Sequence, residues 1–298
     1  MALTFHQLHP CFVAEASGLD LRAPLDNATV TALDAAMTRY AVLVFRAQPL
    51  SEEQQVAFAS RFGTLDTGLY KVTKPTKRRL KHEVVIDISN VDADNQLLAA
   101  DSRGLVMQLA NQLWHSDSSF QTPPGKYSML AAHVLPEREG ETEWADQRAA
   151  YDALAPELKA RLEGLIGEHF ALHSRLMLGA EYSEEERKII PPVRWPLVRT
   201  HADSGRKTLF IGAHVSHIVG WSVPQSRVFL QFLLEHTTQP QFVYRHQWHV
   251  DDFIIWDNRC VLHRGRPYDL SQRRELTRTT TEDLVSAAEF AHLQPAPS

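Results

Sequence analysis

Apolar residues recur at helical spacing in the first sixty residues. The positions that would share one helical face are Val30, Leu33, Met37 and Tyr40. Asp26 or Asn27 precedes them as a helix cap, so this segment predicts an amphipathic helix. Ser51, with Gln54 three residues later, matches a capping box and predicts a second helix that Gly63 could close.

Short apolar or alternating runs, which are typical of β-strands, fill much of the remaining chain. We predict strands at 42–45, 84–88, 110–120, 127–135, 209–211, 242–249, 253–256, 260–263 and 273–281. The polar stretch 257–259 predicts the turn of a β-hairpin. Helices are predicted after Asp146, from Pro156 and around 228–233. The pattern predicts a mainly β fold with flanking helices, built around a double-stranded β-helix (jelly roll) core.

The size of the chain is compatible with one large domain. It has 298 residues, of which 44% are hydrophobic, and no shift in composition marks a linker. We therefore expect a single domain over residues 1–298. Residues 169–196 mix apolar, acidic and proline-rich pieces, which predicts an insertion of the kind that often covers an active site.

Charge and cysteine content exclude several classes of protein. The net charge of −5 argues against a general nucleic-acid binder. No stretch approaches the roughly 18 apolar residues of a membrane span, and the first ten residues show no secretory signal. Cys11 and Cys260 are too few for a disulfide framework. We expect a cytoplasmic protein with no nucleic-acid or membrane partner, and a homo-oligomer is left open.

One basic run stands out at 68–82. Its cations are Lys71, Lys74, Lys77, Arg78, Arg79 and Lys81. A run of charges is usually a solvated surface loop. The alternative is a mobile lid whose positive charge attracts small anions.

His115 and Asp117 provide an imidazole and a carboxylate two residues apart in a strand-like segment. Residues i and i+2 of a strand share a face, so both side chains can bind one metal ion. The pattern alone is weak, because chance or a core histidine explains most occurrences. His263, at the end of an apolar strand, is the best candidate for a third ligand. Two histidines and one carboxylate suit a non-haem Fe(II) oxygenase.

Two arginines near the C-terminus suit the co-substrate of such an enzyme. Three ligands on one face of iron leave positions open for an oxo-acid and O2. The far carboxylate of the oxo-acid requires a fixed cation, for which arginine offers a planar fork. Arg274 and Arg278 share one face of the strand predicted at 273–281, roughly 13 Å apart at about 3.3 Å per residue. They can bind two different anions, unless they belong to a solvated edge strand.

Longer stretches of the chain resemble a known family. They are 42–46, 110–120, 126–130, 148–154, 195–201, 210–214 and 256–265. Through them the chain resembles, over most of its length, the taurine dioxygenase superfamily of Fe(II)/2-oxoglutarate enzymes. It is more similar to those members that degrade aryloxyacetate herbicides.

The resemblance implies roles for individual residues. It makes His115, Asp117 and His263 the iron ligands, and it places Thr142 and Arg274 against 2-oxoglutarate. Arg278 matches a position that meets the acidic group of the substrate in relatives. The other positions that border the substrate in relatives are Lys71, Asn111, Ser119, Phe120 and His214. This sequence departs from the pattern where a second lysine is missing at 92–96 and where the bulky Trp144 follows Thr142.

The resemblance also implies a reaction. An aryloxyalkanoate of the 2,4-dichlorophenoxyacetate kind would be hydroxylated beside its ether oxygen with Fe(II), 2-oxoglutarate and O2, giving a phenol, glyoxylate, succinate and CO2. The expected partner is therefore a small anionic aromatic substrate, and the expected role is herbicide degradation. One alternative is the same chemistry on a sulfonate such as taurine or on another natural carboxylate. The other is a non-catalytic metal-binding jelly-roll module.

Overall fold

β-Strands form the centre of the molecule. The computed structural model describes residues 2–68, 77–99 and 102–295. The strands in these ranges are Thr4–Gln7 (β1), Ala14–Ser17 (β2), Val42–Phe45 (β3), Ile86–Ser89 (β4), Gly125–Val134 (β5), Thr142–Asp146 (β6), Ile166–His169 (β7), Val193–Pro196 (β8), Val198–Thr200 (β9), Lys207–Leu209 (β10), Val215–Ile218 (β11), Val243–His246 (β12), Phe253–Asp257 (β13), Val261–Gly265 (β14) and Glu275–Glu282 (β15).

Helices flank these strands. The α-helices are Asn27–Tyr40 (α1), Glu52–Ala59 (α2), Arg103–Leu109 (α3), Gln147–Asp152 (α4), Pro156–Leu162 (α5), His173–Leu176 (α6), Glu184–Ile189 (α7), Val223–Thr237 (α8) and Leu284–Glu289 (α9). Short 3-10 helices are Ser60–Phe62, Ala110–Gln112, Pro240–Phe242 and Ala291–Leu293. None of the helices in the described ranges is both long and apolar enough to cross a membrane.

The largest sheet has seven strands in the order β1-β2-β3-β13-β5-β15-β4. Its neighbours are antiparallel except for β2 and β3, which run parallel. β15, which carries Arg278, pairs with β5 on one side and with β4 on the other. This strand is therefore interior to the sheet and is not a solvated edge.

A three-stranded sheet in the order β12-β6-β14 packs against the seven-stranded sheet. Trp144 of β6 makes an edge contact with Trp256 of β13, with ring centroids 5.7 Å apart. Other buried side chains of this interface are Leu130, Ile254, Val261 and Leu276. Each such aliphatic side chain contributes about 1.5–3 kcal/mol through burial. Trp144 is therefore a core residue between the sheets. The prediction of a sheet-rich fold with flanking helices is confirmed.

A second three-stranded sheet, in the order β11-β7-β8, borders the predicted insertion. β7 and β8 pair in antiparallel fashion, and the chain between them contains α6 and α7. The insertion therefore leaves and re-enters through neighbouring strands.

The helices begin where the sequence signals predict. Asp26 accepts a hydrogen bond from the backbone N–H of Thr29 at the start of α1. Ser51 and Gln54 form both bonds of the capping box of α2. Each cap of this kind stabilises a helix by about 1 kcal/mol, because it satisfies a backbone donor that the helix leaves unpaired. Asp146 caps α4 in the same way, and Pro156 opens α5.

The predicted strand at 110–120 is wrong. The chain leaves α3 through the 3-10 helix Ala110–Gln112, forms an isolated β-bridge at His115 and continues into turns. Ser118 has a φ of 55°, in the left-handed region that strands do not use. The reason is a tertiary contact, because the backbone N–H of Asp117 donates to the side chain of Asn258 instead of to a neighbouring strand.

The predicted hairpin at 253–263 is also wrong. β13 pairs with β3 and β5 in the seven-stranded sheet, whereas β14 pairs with β6 in the other sheet. Residues 257–259 therefore form a corner that carries the chain from one sheet to the other. Asp257 holds this corner by accepting hydrogen bonds from the backbone N–H and the Nε of Arg259, both at 2.9 Å. A polar turn signal does not contain the information about which sheet the next strand joins.

Candidate active site

His115, Asp117 and His263 meet between β14 and the seven-stranded sheet. The backbone N–H of His263 donates to the carbonyl O of His115 at 2.8 Å, and the reverse bond measures 3.0 Å. The Nε2 of His115 lies 3.8 Å from Oδ1 of Asp117, and the Nε2 of His263 lies 3.6 Å from Oδ2. All three side chains are buried, and their ligand atoms lie within 4.8 Å of one another. The structure thus brings the three predicted metal ligands together, although not through a shared strand.

Contacts from the seven-stranded sheet fix the carboxylate of Asp117. Ser128 of β5 donates its hydroxyl to Oδ2 at 2.7 Å, and Arg278 of β15 donates to Oδ1. Asn258 accepts from the backbone N–H of Asp117 at 3.0 Å and donates to Ser128 Oγ at 2.9 Å. Gly125 permits this approach, because a Cβ at that position would lie 2.8 Å from the carbonyl O of Asp117. Protein contacts alone therefore orient the aspartate.

Both histidines present a neutral nitrogen. The Nδ1 of His115 lies 2.7 Å from the carbonyl O of Leu113, so Nδ1 carries the proton and Nε2 keeps its lone pair. Burial lowers the pKa of His115, and burial together with the neighbouring His115 lowers the pKa of His263 well below its usual range. Burial raises the pKa of Asp117, but the charge of Arg278 and the hydrogen bond from Ser128 act in the opposite direction, and the net shift is downward.

These protonation states fit a metal ion. Metal ligation requires neutral imidazoles and an ionised carboxylate, and the environment favours both forms. Three protein ligands of this kind leave coordination positions for small molecules. The donor set therefore suits a catalytic divalent ion.

Arg274 is a buried cation without a carboxylate partner among the residues described. It is 8% exposed, and its Nε and Nη2 donate to the carbonyl O of Gly140 at 3.3 and 3.0 Å. The ring of Tyr268 lies 5.6 Å from its Cζ. Burial lowers the pKa of Arg274 to about 10. A guanidinium in this situation is a receptor for an anion, because an isolated buried charge is costly and a carboxylate would satisfy it.

Thr142 begins β6 two residues after Gly140, the contact of Arg274. Its Oγ1 accepts a hydrogen bond from Nε1 of Trp248 at 3.0 Å, so the hydroxyl proton can be donated to a ligand. The two residues predicted for 2-oxoglutarate therefore lie on neighbouring parts of the structure.

A cavity of about 240 Å³ opens on the metal ligands His115 and Asp117. The predicted substrate residues that border it are Asn111, Phe120, His214 and Arg278. The rings of Phe120 and His214 pack edge to face, with centroids 4.8 Å apart. Ile86, Ile88 and Met107 add an apolar wall. The cavity thus combines metal ligands, apolar surface and positive charge.

Two predicted substrate residues have a different status. Ser119 is buried but does not border this cavity, and its carbonyl O accepts from Nε1 of Trp195 at 2.7 Å. This hydrogen bond holds the turn that contains Ser119 against Trp195. Lys71 lies outside the described residues, as does Lys74 of the basic run.

The described end of the basic run is bound to the protein. Arg79 pairs with Asp87 of β4 through two bonds of 2.8 Å and also with Glu275 of β15. These carboxylates raise the pKa of Arg79 against the effect of its burial. Lys77 pairs with Asp94. The interpretation as a lid therefore depends on residues before position 77.

Sequence reasoning missed Arg175, Ser128 and Asn258. Arg175 of α6 borders the cavity, and the other two orient Asp117. Two of them could have been noticed in the sequence. Ser128 is a polar residue within the apolar run 127–135, and Asn258 lies in the all-polar stretch 257–259. No local pattern distinguishes Arg175 from a surface arginine.

Two histidines and one carboxylate with a free coordination face, in a sheet-rich fold, define the class of non-haem metal oxygenases. The chain matches the family "Taurine catabolism dioxygenase TauD, TfdA family" over residues 4–280, and it belongs to this family.

Relatives share nearly the whole length of the chain. An "Alpha-ketoglutarate-dependent 2,4-dichlorophenoxyacetate dioxygenase" of Cupriavidus pinatubonensis is 54% identical over 284 residues, covering 95% of this chain and 99% of the relative. A protein of the same name from a Burkholderia species is 55% identical over 282 residues, covering 94% and 95%. The crystal structure of AAD-2 in complex with Mn(II) and N-oxalylglycine has a TM-score of 0.88 and 44% identity, covering 95% and 97%. The prediction of a metal- and 2-oxoglutarate-dependent dioxygenase is confirmed.

Proposed function

We propose that this dioxygenase uses Fe(II), 2-oxoglutarate and O2 to hydroxylate aryloxyalkanoates such as 2,4-dichlorophenoxyacetate beside the ether oxygen. The observation that carries the proposal is the buried triad of His115, Asp117 and His263, which opens on a cavity with an apolar wall and arginine side chains. The names of the two relatives that share more than half of their residues with this chain support the choice of substrate.

Different residues of the protein would bind the metal and 2-oxoglutarate. His115, Asp117 and His263 would hold the metal, while Arg274 and Thr142 would bind the far carboxylate of 2-oxoglutarate. When bound, the metal would activate O2, which is the oxidant: one oxygen atom of O2 goes to succinate as 2-oxoglutarate loses CO2, and the other converts the C–H bond of the substrate to C–OH. A hydroxylated aryloxyacetate is a hemiacetal, which collapses to a phenol and glyoxylate.

The cavity would orient the substrate and exclude water. Ile86, Ile88 and Met107 offer a surface for the aromatic ring. Arg278 holds the carboxylate of Asp117 and also adds positive charge to the cavity, which favours an anionic substrate. Fixed orientation of the reacting carbon is the main contribution that such a protein makes to the rate.

The experiment is an anaerobic titration. Fe(II) and 2-oxoglutarate are added to the protein, and the charge-transfer absorption of the chelate is recorded before and after each candidate substrate. We expect the band to form and to shift with 2,4-dichlorophenoxyacetate. Admission of O2 should then release the phenol and succinate in equal amounts. Absence of the band would contradict the cofactor assignment.

A sulfonate is the competing substrate class, because the same arginines would accept its negative charge. Taurine and an alkanesulfonate are therefore included in the titration. A shift with these compounds and none with an aryloxyacetate would identify the protein as a sulfonate dioxygenase. The band would still form in that case, so the cofactor assignment and the substrate assignment fail separately.

We also propose that the two packed sheets form a double-stranded β-helix and that the chain is one domain. The shared core around Trp144 and Trp256, and the family match over 4–280, support this. A single unfolding transition, coincident by fluorescence and circular dichroism, is the expected result.

The free Cys11 and Cys260 support a cytoplasmic location.

A further inference from the structure

Arg175 borders the same cavity as the metal ligands. It belongs to α6, in the segment between β7 and β8, and only 9% of its surface is exposed. His115, Asp117 and Arg278 border this cavity with it. A buried guanidinium thus faces the space where the substrate of the proposed function would lie.

The hydrogen bonds of Arg175 leave part of its fork free. Nη1 donates to the carbonyl O of Ala171 at 3.0 Å and to Ser174 Oγ at 2.9 Å. Nε is buried and has no hydrogen-bond partner, and within the described ranges no carboxylate lies at ion-pair distance. Burial lowers the pKa of Arg175, and the charge of Arg278 adds to this shift. The protein anchors one side of the guanidinium and leaves the other unsatisfied.

Several other buried arginines of the protein have a partner that compensates for their charge. Arg148 pairs with Asp146 at 3.0 Å, and Arg259 pairs with Asp257 at 2.7 Å. Arg199 is buried without such a pair, but its Cζ lies 3.6 Å from the ring centroid of Phe210, which provides a cation–π contact. Arg175 has neither compensation in the described structure.

The other groups of the cavity are less suited to bind a substrate acid. Arg278 already donates to the metal-binding carboxylate of Asp117. The ring of His214 packs edge to face against Phe120 and against the metal ligand His115, with centroids 4.8 and 5.8 Å apart. Asp87 is an anion held by Arg79. The Nε of Arg278 also lacks a hydrogen-bond partner, but this arginine is paired with Asp117, whereas Arg175 has no carboxylate partner among the described residues.

We propose that Arg175 binds the carboxylate of the aryloxyalkanoate and gives the enzyme its preference for acids over neutral aryl ethers. This inference rests on the proposed function and assigns its substrate-anion subsite to a residue of the insertion. The carboxylate accepts from Nε and Nη2 in a fork, while Ala171 and Ser174 keep the guanidinium in position.

The test compares an acid with a neutral analogue. Protein loaded with Fe(II) and 2-oxoglutarate is titrated anaerobically with 2,4-dichlorophenoxyacetate and with 2-(2,4-dichlorophenoxy)ethanol, and the shift of the chelate absorption gives each Kd. In Arg175→Gln we expect the Kd of the acid to rise about 30-fold or more, as for loss of one partner of a buried charge pair. The Kd of the alcohol should change less than about threefold, and Arg175→Lys should be intermediate. Arg187→Gln, an exposed arginine of the same segment, is the matched control and should behave as wild type.

Three outcomes contradict the assignment. An unchanged acid Kd in Arg175→Gln would show that another group binds the carboxylate. An equal weakening of both compounds, or loss of the chelate band itself, would show that Arg175 only maintains the shape of the site. A wild-type protein that forms the chelate but responds to neither compound would overturn the proposed function and, with it, this subsite.

Discussion

The described residues contain two buried groups of three potential metal ligands, and they differ in what surrounds them. One is His115, Asp117 and His263, and the other is His201, Asp257 and Cys260. The first opens on a cavity of about 240 Å³. In the second group only His201 borders the adjacent cavity, and this space of about 10 Å³ holds at most one water molecule.

The hydrogen bonds of the two aspartates explain the difference. Asp257 is saturated, because it accepts from the guanidinium and backbone of Arg259 and from Nε2 of His201 at 3.0 Å. Burial raises the pKa of the Cys260 thiol, so it is not the thiolate that metals require. In the first group the two histidines direct no hydrogen bond at Asp117, and their Nε2 atoms lie 3.6 and 3.8 Å from its oxygens. A metal site thus requires donors whose lone pairs the protein leaves unused and a space beside them.

Removal of a ligand from the first group should have the largest effect. In His263→Ala we expect the chelate band to disappear and turnover to fall at least about 1,000-fold, more than the roughly 10- to 100-fold loss from a residue that only orients a ligand. His201→Ala is the matched control, since it removes a buried histidine beside an aspartate, and it should still form the band. Loss of the band in both variants would mean that the two groups do not differ as described.

A substitution of Arg274 tests the proposed receptor for 2-oxoglutarate. In Arg274→Ala we expect the KM for 2-oxoglutarate to rise about 30- to 1,000-fold, through loss of a charge-assisted pair of about 2–4 kcal/mol. The KM for the aryloxyacetate should change little. Steady-state succinate release, measured while each reactant is varied in turn, separates the two constants. An equal rise in both would contradict a dedicated 2-oxoglutarate residue.

The second group should matter for stability and not for metal binding. In Asp257→Asn we expect the free energy of unfolding to fall by about 3 kcal/mol, because the buried guanidinium of Arg259 loses its main partner. Arg259 and His201 keep the pKa of Asp257 far below its usual range despite burial, so its stabilising charge is present above about pH 4 and is lost as the pH falls further. Urea titrations at pH 7 measure the first effect, and titrations at pH 4 and pH 3 measure the second. An unchanged unfolding midpoint at pH 7 would contradict this role.

A buried histidine outside both groups should give the smallest effect. Both ring nitrogens of His169 lack a hydrogen-bond partner in the described chain, and the ring stacks on Phe210 at 5.1 Å. Burial, assisted by the charge of Arg199, lowers the pKa of His169 to about 3. The unfolded chain therefore binds this proton first as the pH falls below about 6.5, and stability decreases.

The measurement is the pH dependence of unfolding by urea. In His169→Phe the slope between pH 6 and pH 4 should be smaller by about 1.4 kcal/mol per pH unit. His292→Ala, an exposed histidine, should keep the wild-type slope. A wild-type slope in His169→Phe would show that His169 is protonated in the folded protein.

Much of the local structure follows from the sequence alone. Helix starts depend on residues within a few positions of each other, so the neighbouring residues are sufficient to predict them. This holds for the caps at Asp26, Ser51 and Asp146 and for Pro156 at the start of α5. The apolar strands near 42–45 and 127–135 follow from their composition in the same way. The identities of the two histidines, the aspartate and Arg274 as a set came from residue chemistry and the family resemblance.

The tertiary structure decided how these parts meet. His115 and Asp117 converge through a bridge to His263 and a contact with Asn258, more than 140 positions away, and not through strand periodicity. The corner at 257–259 joins two sheets because the pairing partners of β13 and β14 lie in distant segments. Arg175 is recognisable only once its insertion is folded over the cavity. Local sequence specifies local geometry, whereas burial and unsatisfied hydrogen bonds are properties of the assembled chain.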